Sequence, residues 1–162
     1  MKLHTHKLRI LNAFNTADLK ILKNANTEVE EITPAIKTII RNMHHTLEKN
    51  STGVGLAAPQ IGVNKRIFVI HYAGCKMTVI NPIILHTDTS MKVVNEGCLS
   101  VPGIHTPIAR SENIRVSFTD MNSERITDCP LNGFLSRIFQ HEYNHLEGVL
   151  IVNFSTEDNF TI

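Results

Sequence analysis

The stretch Phe134–Gly148, FLSRIFQHEYNHLEG, decides how this chain reads. Inside it His141-Glu142-Tyr143-Asn144-His145 is an H-E-x-x-H pattern. On an α-helix, residues four apart stand one above the other on one face. His141 and His145 can therefore reach a single metal ion. Glu142 lies about 100° further round the helix, beside that ion rather than on it. There it can take a proton from water. Phe134, Leu135, Ile138, His141, Glu142, His145 and Val149 fall on a shared face. The histidines thus continue an apolar stripe, and the site is expected to face the core. The helix is predicted to begin near Pro130 or Asn132 and to stop at Gly148.

A catalytic centre of this kind needs a third protein ligand and one open position. Downstream of His145 the acids are Glu147, Glu157 and Asp158. The longer metzincin pattern would need a histidine where Ile151 stands. The third ligand is therefore expected upstream. Glu96-Gly97-Cys98-Leu99-Ser100 follows a short apolar run, and a thiolate is a strong ligand for Zn²⁺ or Fe²⁺. Gly97 lets the backbone approach closely. A third segment, Gly53-Val54-Gly55-Leu56-Ala57-Ala58-Pro59-Gln60, is built from small residues against which a peptide can lie. Gln60 offers a neutral amide donor for a developing oxyanion. The segment lacks the lysine of a phosphate-binding loop.

The remaining elements follow from periodicity and punctuation. Thr33 suits a helix N-cap and Pro34 the first helical position. Ile36, Ile39, Ile40, Met43 and Leu47 continue at helical spacing, so a helix is predicted over Pro34–Lys49. Gly53–Gly62 reads as irregular loop. Arg66–Tyr72 and Lys76–Ile80 read as a hairpin around Ala73-Gly74, broken by Asn81-Pro82 and continued at an edge over Ile83–His86. Further strands are expected over Lys92–Asn95, Ile114–Thr119 and Arg125–Thr127, the last after a turn at Met121–Glu124. The first thirty residues give no firm element. The pattern is α+β: short strands in the middle, a helix before them and a motif-bearing helix after.

The chain has 162 residues, enough for a single domain over 1–162 with its own core. Sixteen basic and fifteen acidic residues leave a formal charge of +1, so no basic field attracts nucleic acid or an anionic membrane. No apolar run is long enough to span a bilayer, and the N-terminus lacks a signal-peptide core. A cytoplasmic protein is expected. The cysteine count is odd, which argues against a disulfide framework. Cys75 and Cys129 read as small core residues. His4, His6, His44, His45, His71, His86 and His105, the last in a Pro/Gly loop, read as surface or packing residues.

Together the three segments resemble peptide deformylase. That family's motifs read G-x-G-L-A-A-x-Q, E-G-C-x-S and H-E-x-D-H, in the order found here at Gly53–Gln60, Glu96–Ser100 and His141–His145. The likeness spans roughly Thr33 to Val152 and takes in Gln140 and Leu146-Glu147-Gly148. It implies an α+β metallohydrolase, with short antiparallel or mixed sheets packed around the motif helix, that removes the formyl group from the N-formyl-methionine of nascent peptides. It implies Cys98, His141 and His145 as ligands of one divalent ion. That ion is usually Fe²⁺ in the family, replaceable by Zn²⁺, Ni²⁺ or Co²⁺. Glu142 becomes general base and acid. Gln60 and the Leu99 N–H hold the oxyanion, and Gly55 and Gly97 flank the substrate backbone. Val54, Val94, Phe134 and Ile138 line the methionine pocket, and Glu96 pairs with Arg110 behind the cysteine.

Two departures stand out. Asn144 replaces the family's aspartate, and the chain ends at Ile162 without the C-terminal helix of many bacterial members. The second makes it similar to the short deformylases of bacterial viruses and leads us to expect weak or absent ribosome docking. Two rival readings follow from the same residues: a peptide-bond metalloprotease, and a decayed member that binds metal or capped peptides without turnover.

Overall fold

The structure is a computed structural model and describes residues 5–154. His4, the candidate ligands Glu157 and Asp158, and the C-terminal residues on which the ribosome expectation rests lie outside the described residues. The architecture is α+β. Helices α1 (Thr16–Leu22), α2 (Pro34–Glu48) and α3 (Gly133–Leu146) pack with strands β1 (Gly55–Ala57), β2 (Ile67–Tyr72), β3 (Cys75–Thr87), β4 (Met91–Cys98), β5 (Val101–Ser111), β6 (Asn113–Thr119) and β7 (Arg125–Asn132). A five-stranded antiparallel sheet runs β1-β2-β3-β6-β7, and β4 and β5 form a separate hairpin.

The apolar run Ile67–Ile70 explains the layering. Successive strand residues point to opposite faces. Phe68 and Ile70 join the cluster that contains Ile138, Phe139 and Leu146 of α3. Ile67 and Val69 join the cluster that contains Ile40, Met43 and Leu47 of α2. Both faces of β2 are therefore covered by a helix, which is why the run is continuous rather than alternating. A third cluster, with Leu11, Leu22, Val101, Ile108 and Ile151, lies under the β4–β5 hairpin.

Helix α2 starts as its caps predict: the Thr33 hydroxyl accepts from Ile36 N, and Pro34 opens the first turn. The β2–β3 hairpin turns through Ala73 and Gly74, with φ of 50° and 78°. Four expectations need correction. Asn81-Pro82 does not break β3. Asn81 adopts φ 50° inside a register shift, and its side chain pairs with both backbone groups of Val29. The bulge absorbs the proline, and the strand continues against β6. The Gly53–Gly62 loop contains β1 and a 3₁₀ turn over Ala58–Ile61. Cys75 is exposed beside the hairpin turn rather than buried. Phe134 is 44% exposed, at the outer end of its helix. Two elements were not expected. Helix α1 is capped by Asn15, whose side chain accepts from Ala17 N and Asp18 N, and β5 spans two prolines.

Candidate active site

The loop around β1, the β4–β5 hairpin and α3 meet around a cavity of about 550 Å³. Val54, Gly55, Gln60, Val94, Glu96, Gly97, Cys98, Leu99, Phe134, Ile138, His141 and Glu142 line it. His145, Arg110 and Asn144 are not on its wall; they are joined to it through Cys98 and Glu96, as follows.

Cys98 ends β4, where a register shift between Gly97 and Cys98 turns the chain into β5. Its Sγ lies 3.3 Å from His145 Nε2. One ligand atom each from Cys98, His141 and His145 falls within 4.8 Å of the others, the only such group among the described residues. A soft thiolate with two imidazoles suits Zn²⁺ or Fe²⁺. The electrostatics fit a cation as well. Burial opposes the His141 imidazolium, but hydrogen bonds with Cys98 and Glu96 and the charge of Glu142 outweigh it and raise His141 to about 10. The same bonds and charges would favour a cation held at that ring. His145 moves the opposite way, lowered by burial and by the positive charges of His141 and Arg110.

Glu142 is 3% exposed. A Cβ placed on Gly55 would stand 2.3 Å from Glu142 Oε1, so only glycine lets the β1 backbone lie on the carboxylate. Burial raises Glu142 to about 7, against the lowering influence of His141 and Arg110. Glu142 Oε2 and His145 Nδ1 are buried with no partner among the described residues. Leaving such groups unsatisfied costs about 1–3 kcal/mol each, more for a charge. Glu142 Oε2 is the atom a reacting water or substrate would meet; at His145 the nitrogen on the Cys98 side is Nε2, and the unpartnered Nδ1 is the other one.

Gln60 is 1% exposed. Its Oε1 accepts from Ala57 N at 2.8 Å, which leaves the amide NH₂ directed at Ser100 Oγ (3.2 Å) and Cys98 Sγ (3.7 Å). The amide donor thus stands beside Cys98 and Ser100, the residues that flank Leu99 in the β4–β5 turn.

Behind the histidines lies a buried charge cluster. Arg110 donates to both Glu96 oxygens, at 2.7 and 2.8 Å, and to Asn144 Oδ1 at 2.6 Å. Glu96 Oε2 meets His141 Nδ1 at 2.9 Å. Burial pushes the Glu96 carboxyl up, but its bonds from His141 and Arg110 prevail and lower it to about 2. Two participants escaped the sequence reading. Arg137 is buried and reaches the same carboxylate. It stands four residues before His141 on the inward face of α3, so a cation interrupting an apolar stripe was the available signal. His105 is no loop residue. It pairs with Gly97 across the hairpin and lines the cavity.

The chain matches the family described as polypeptide deformylase over residues 11–159. The peptide deformylase of Dictyoglomus turgidum is 42% identical over 139 residues, 86% of this chain and 89% of that one. Peptide deformylase 1 of Clostridium perfringens is 42% identical over 140 residues, 84% of this chain and 92% of that one. The crystal structure of the Thermotoga maritima peptide deformylase superposes with a TM-score of 0.84 at 37% identity, covering 91% of this chain and 97% of that one. That of the Synechococcus elongatus protein in complex with actinonin gives 0.85 at 31% identity, covering 98% and 87%. With the fold shared along most of both chains and the family match spanning all three motifs, the chain belongs to the polypeptide deformylase family.

Proposed function

We propose that this chain hydrolyses the formyl amide of N-formyl-methionyl peptides in the cytoplasm, with Cys98, His141 and His145 holding one divalent ion, Fe²⁺ in the cell. Zn²⁺, Ni²⁺ or Co²⁺ would serve in the purified protein. The observation that carries the reading is the juxtaposition of that ligand set with a buried carboxylate that has an unpartnered oxygen, at the wall of one cavity. A bound ion would supply Lewis-acid polarisation of the carbonyl and a water more acidic than bulk.

The other contributions come from the chain. Glu142 takes the proton of the attacking water and returns it to the leaving amine, a task suited to a group that titrates near neutrality. The Gln60 NH₂ and the Leu99 N–H face the developing oxyanion. The Ala57–Gln60 bond fixes the amide in the donating orientation before substrate arrives. Glu96 holds His141 by Nδ1 and leaves Nε2 for the metal. Val54, Val94, Phe134 and Ile138 offer an apolar wall for a methionine side chain. Gly55 and Gly97 present backbone to the peptide.

The test is formate release from a formyl-Met peptide by protein reconstituted with Fe²⁺ under low oxygen, beside Glu142→Ala. Turnover that falls at least about 100-fold in the variant, with metal retained, is the expected result. Cleavage of an internal peptide bond instead would favour the protease reading. Metal binding without any turnover would favour the decayed-member reading.

A further inference from the structure

Glu96 accepts from two guanidinium groups. Besides Arg110, Arg137 Nη1 donates to Glu96 Oε1 at 2.5 Å. Arg137 is 6% exposed. The same Nη1 donates to Ile108 O on β5 at 3.1 Å, and Nη2 donates to Lys92 O on β4. One side chain from α3 therefore grips both strands of the hairpin and the carboxylate between them.

That grip spans the proposed ligand set. Helix α3 carries His141 and His145, and the hairpin carries Cys98. Arg110 and Glu96 both belong to the hairpin, so their ion pair cannot by itself place the helix. Arg110 touches α3 through the neutral Asn144, whereas Arg137 brings a cation from α3 onto Glu96 directly. Glu96 in turn sets the His141 ring through Nδ1. We propose that Arg137 is a positioning residue that, through Glu96, keeps the hairpin ligand and the helix ligands in register and so sets the affinity of the centre for a divalent cation. This rests on the metal-centre reading above.

The test titrates metal-free protein with Co²⁺ against a chelator, following the thiolate-to-cobalt absorption band. Arg137→Met removes the charge and all three bonds. Arg137→Lys keeps a point charge but cannot reach three acceptors in a fork. Ser136→Ala serves as the comparison. Ser136 is equally buried, and its hydroxyl donates to Ser111 O at 2.9 Å, tying the same helix to the same hairpin without touching Glu96. Arg137→Met is expected to bind Co²⁺ about 10- to 100-fold more weakly with a shifted band, the usual scale for groups supporting a ligand. Ser136→Ala is expected to stay within about 3-fold, whatever its melting temperature. Arg137→Met within that same narrow range of wild type, or Ser136→Ala weakened as much as Arg137→Met, overturns the proposal. If Arg137→Met does not fold, Arg137→Lys decides. A loss beyond about 3-fold supports the role and unchanged affinity overturns it. A wild-type protein that shows no thiolate band overturns the metal centre itself, and this inference with it.

Discussion

Gly55→Ala is the sharpest single test of how the site is built. A Cβ there would lie 2.3 Å from Glu142 Oε1, 2.7 Å from Cδ and 2.8 Å from Cγ. Against a normal separation of about 3.5 Å, the methyl group overlaps the carboxylate by roughly 1 Å. The shift falls on the flexible end of Glu142 rather than on the β1 backbone. Gly55 is paired with Ile70 of β2, and Glu142 is buried on α3. Overpacking of this kind costs about 1–3 kcal/mol, partly offset by the roughly 0.4–1 kcal/mol that Gly→Ala gains from a stiffer unfolded chain. At about 2–4 °C per kcal/mol for a chain of this size, the melting temperature should fall by several degrees. The rate should suffer more, because a displacement of about 1 Å at a reacting group costs on the order of 100-fold. The assay is formate release at matched metal content. The same substitution is also made in a Glu142→Ala background. There the clash has no partner, so the melting penalty should vanish. Activity within about 3-fold of wild type, or an equal melting penalty in both backgrounds, would refute the argument.

Cys98→Ala should lose the metal, since it removes the only thiolate near the two histidines; full occupancy by elemental analysis would contradict the ligand assignment. Gln60→Ala should cost about 100-fold, carried by kcat, because a developing oxyanion belongs to the transition state; an effect confined to KM would remove Gln60 from that role. His44 Nδ1 meets His71 Nε2 at 2.7 Å and its Nε2 meets Thr78 Oγ1 at 2.8 Å, and His44 is lowered to about 4 by burial and then by the positive charges of His71 and Lys76. It folds neutral, so its contribution is complete above about 6.5 and is lost as pH falls from there toward 4. Urea midpoints should drop across that window more steeply for wild type than for His44→Gln, and parallel profiles would exclude His44 as the source. Asn144→Asp should change kcat/KM by less than about 10-fold at matched metal content; a dead native protein revived by Asn144→Asp would establish decay.

What could be read in the sequence was what local chemistry specifies. The Thr33-Pro34 cap, the α2 stripe and the Ala73-Gly74 turn each encode their structure within a few residues, and the structure has them there. The misses are elements that owe their existence to distant contacts. Helix α1 is short, and its Asp18 is satisfied by Arg9 and by Asn12 N from the preceding segment. Strand β5 looked like a Pro/Gly loop. In a two-stranded hairpin each strand has a free edge, where prolines such as Pro102 and Pro107 forfeit little. Asn81 looked like a strand breaker because its partner, Val29, lies far away in sequence. The site divides in the same manner. Cys98, His141, Glu142 and His145 stand in short motifs, whereas Arg137 and His105 acquire their place only when the hairpin folds against α3.

The Asn144 departure takes on meaning within this cluster. Glu96 carries one negative charge and faces two guanidinium groups. An aspartate at 144 would give the two guanidinium groups a second carboxylate. The asparagine leaves the two guanidinium groups with Glu96 as their shared carboxylate. Geometry survives the change, because Asn144 Oδ1 still accepts from Arg110 at 2.6 Å. The guanidinium therefore stays where it can pin Glu96, and Glu96 stays where it can orient His141. What changes is the field at Glu142. Burial raises that carboxyl, and Arg110 is among the charges that hold it down. A carboxylate at 144 would face Arg110 directly, whereas the neutral amide leaves that guanidinium's field on Glu142 uncountered from this position. A substitution that looks like the loss of a supporting acid thus preserves the hydrogen bond from Arg110. What it alters is the charge balance around Arg110.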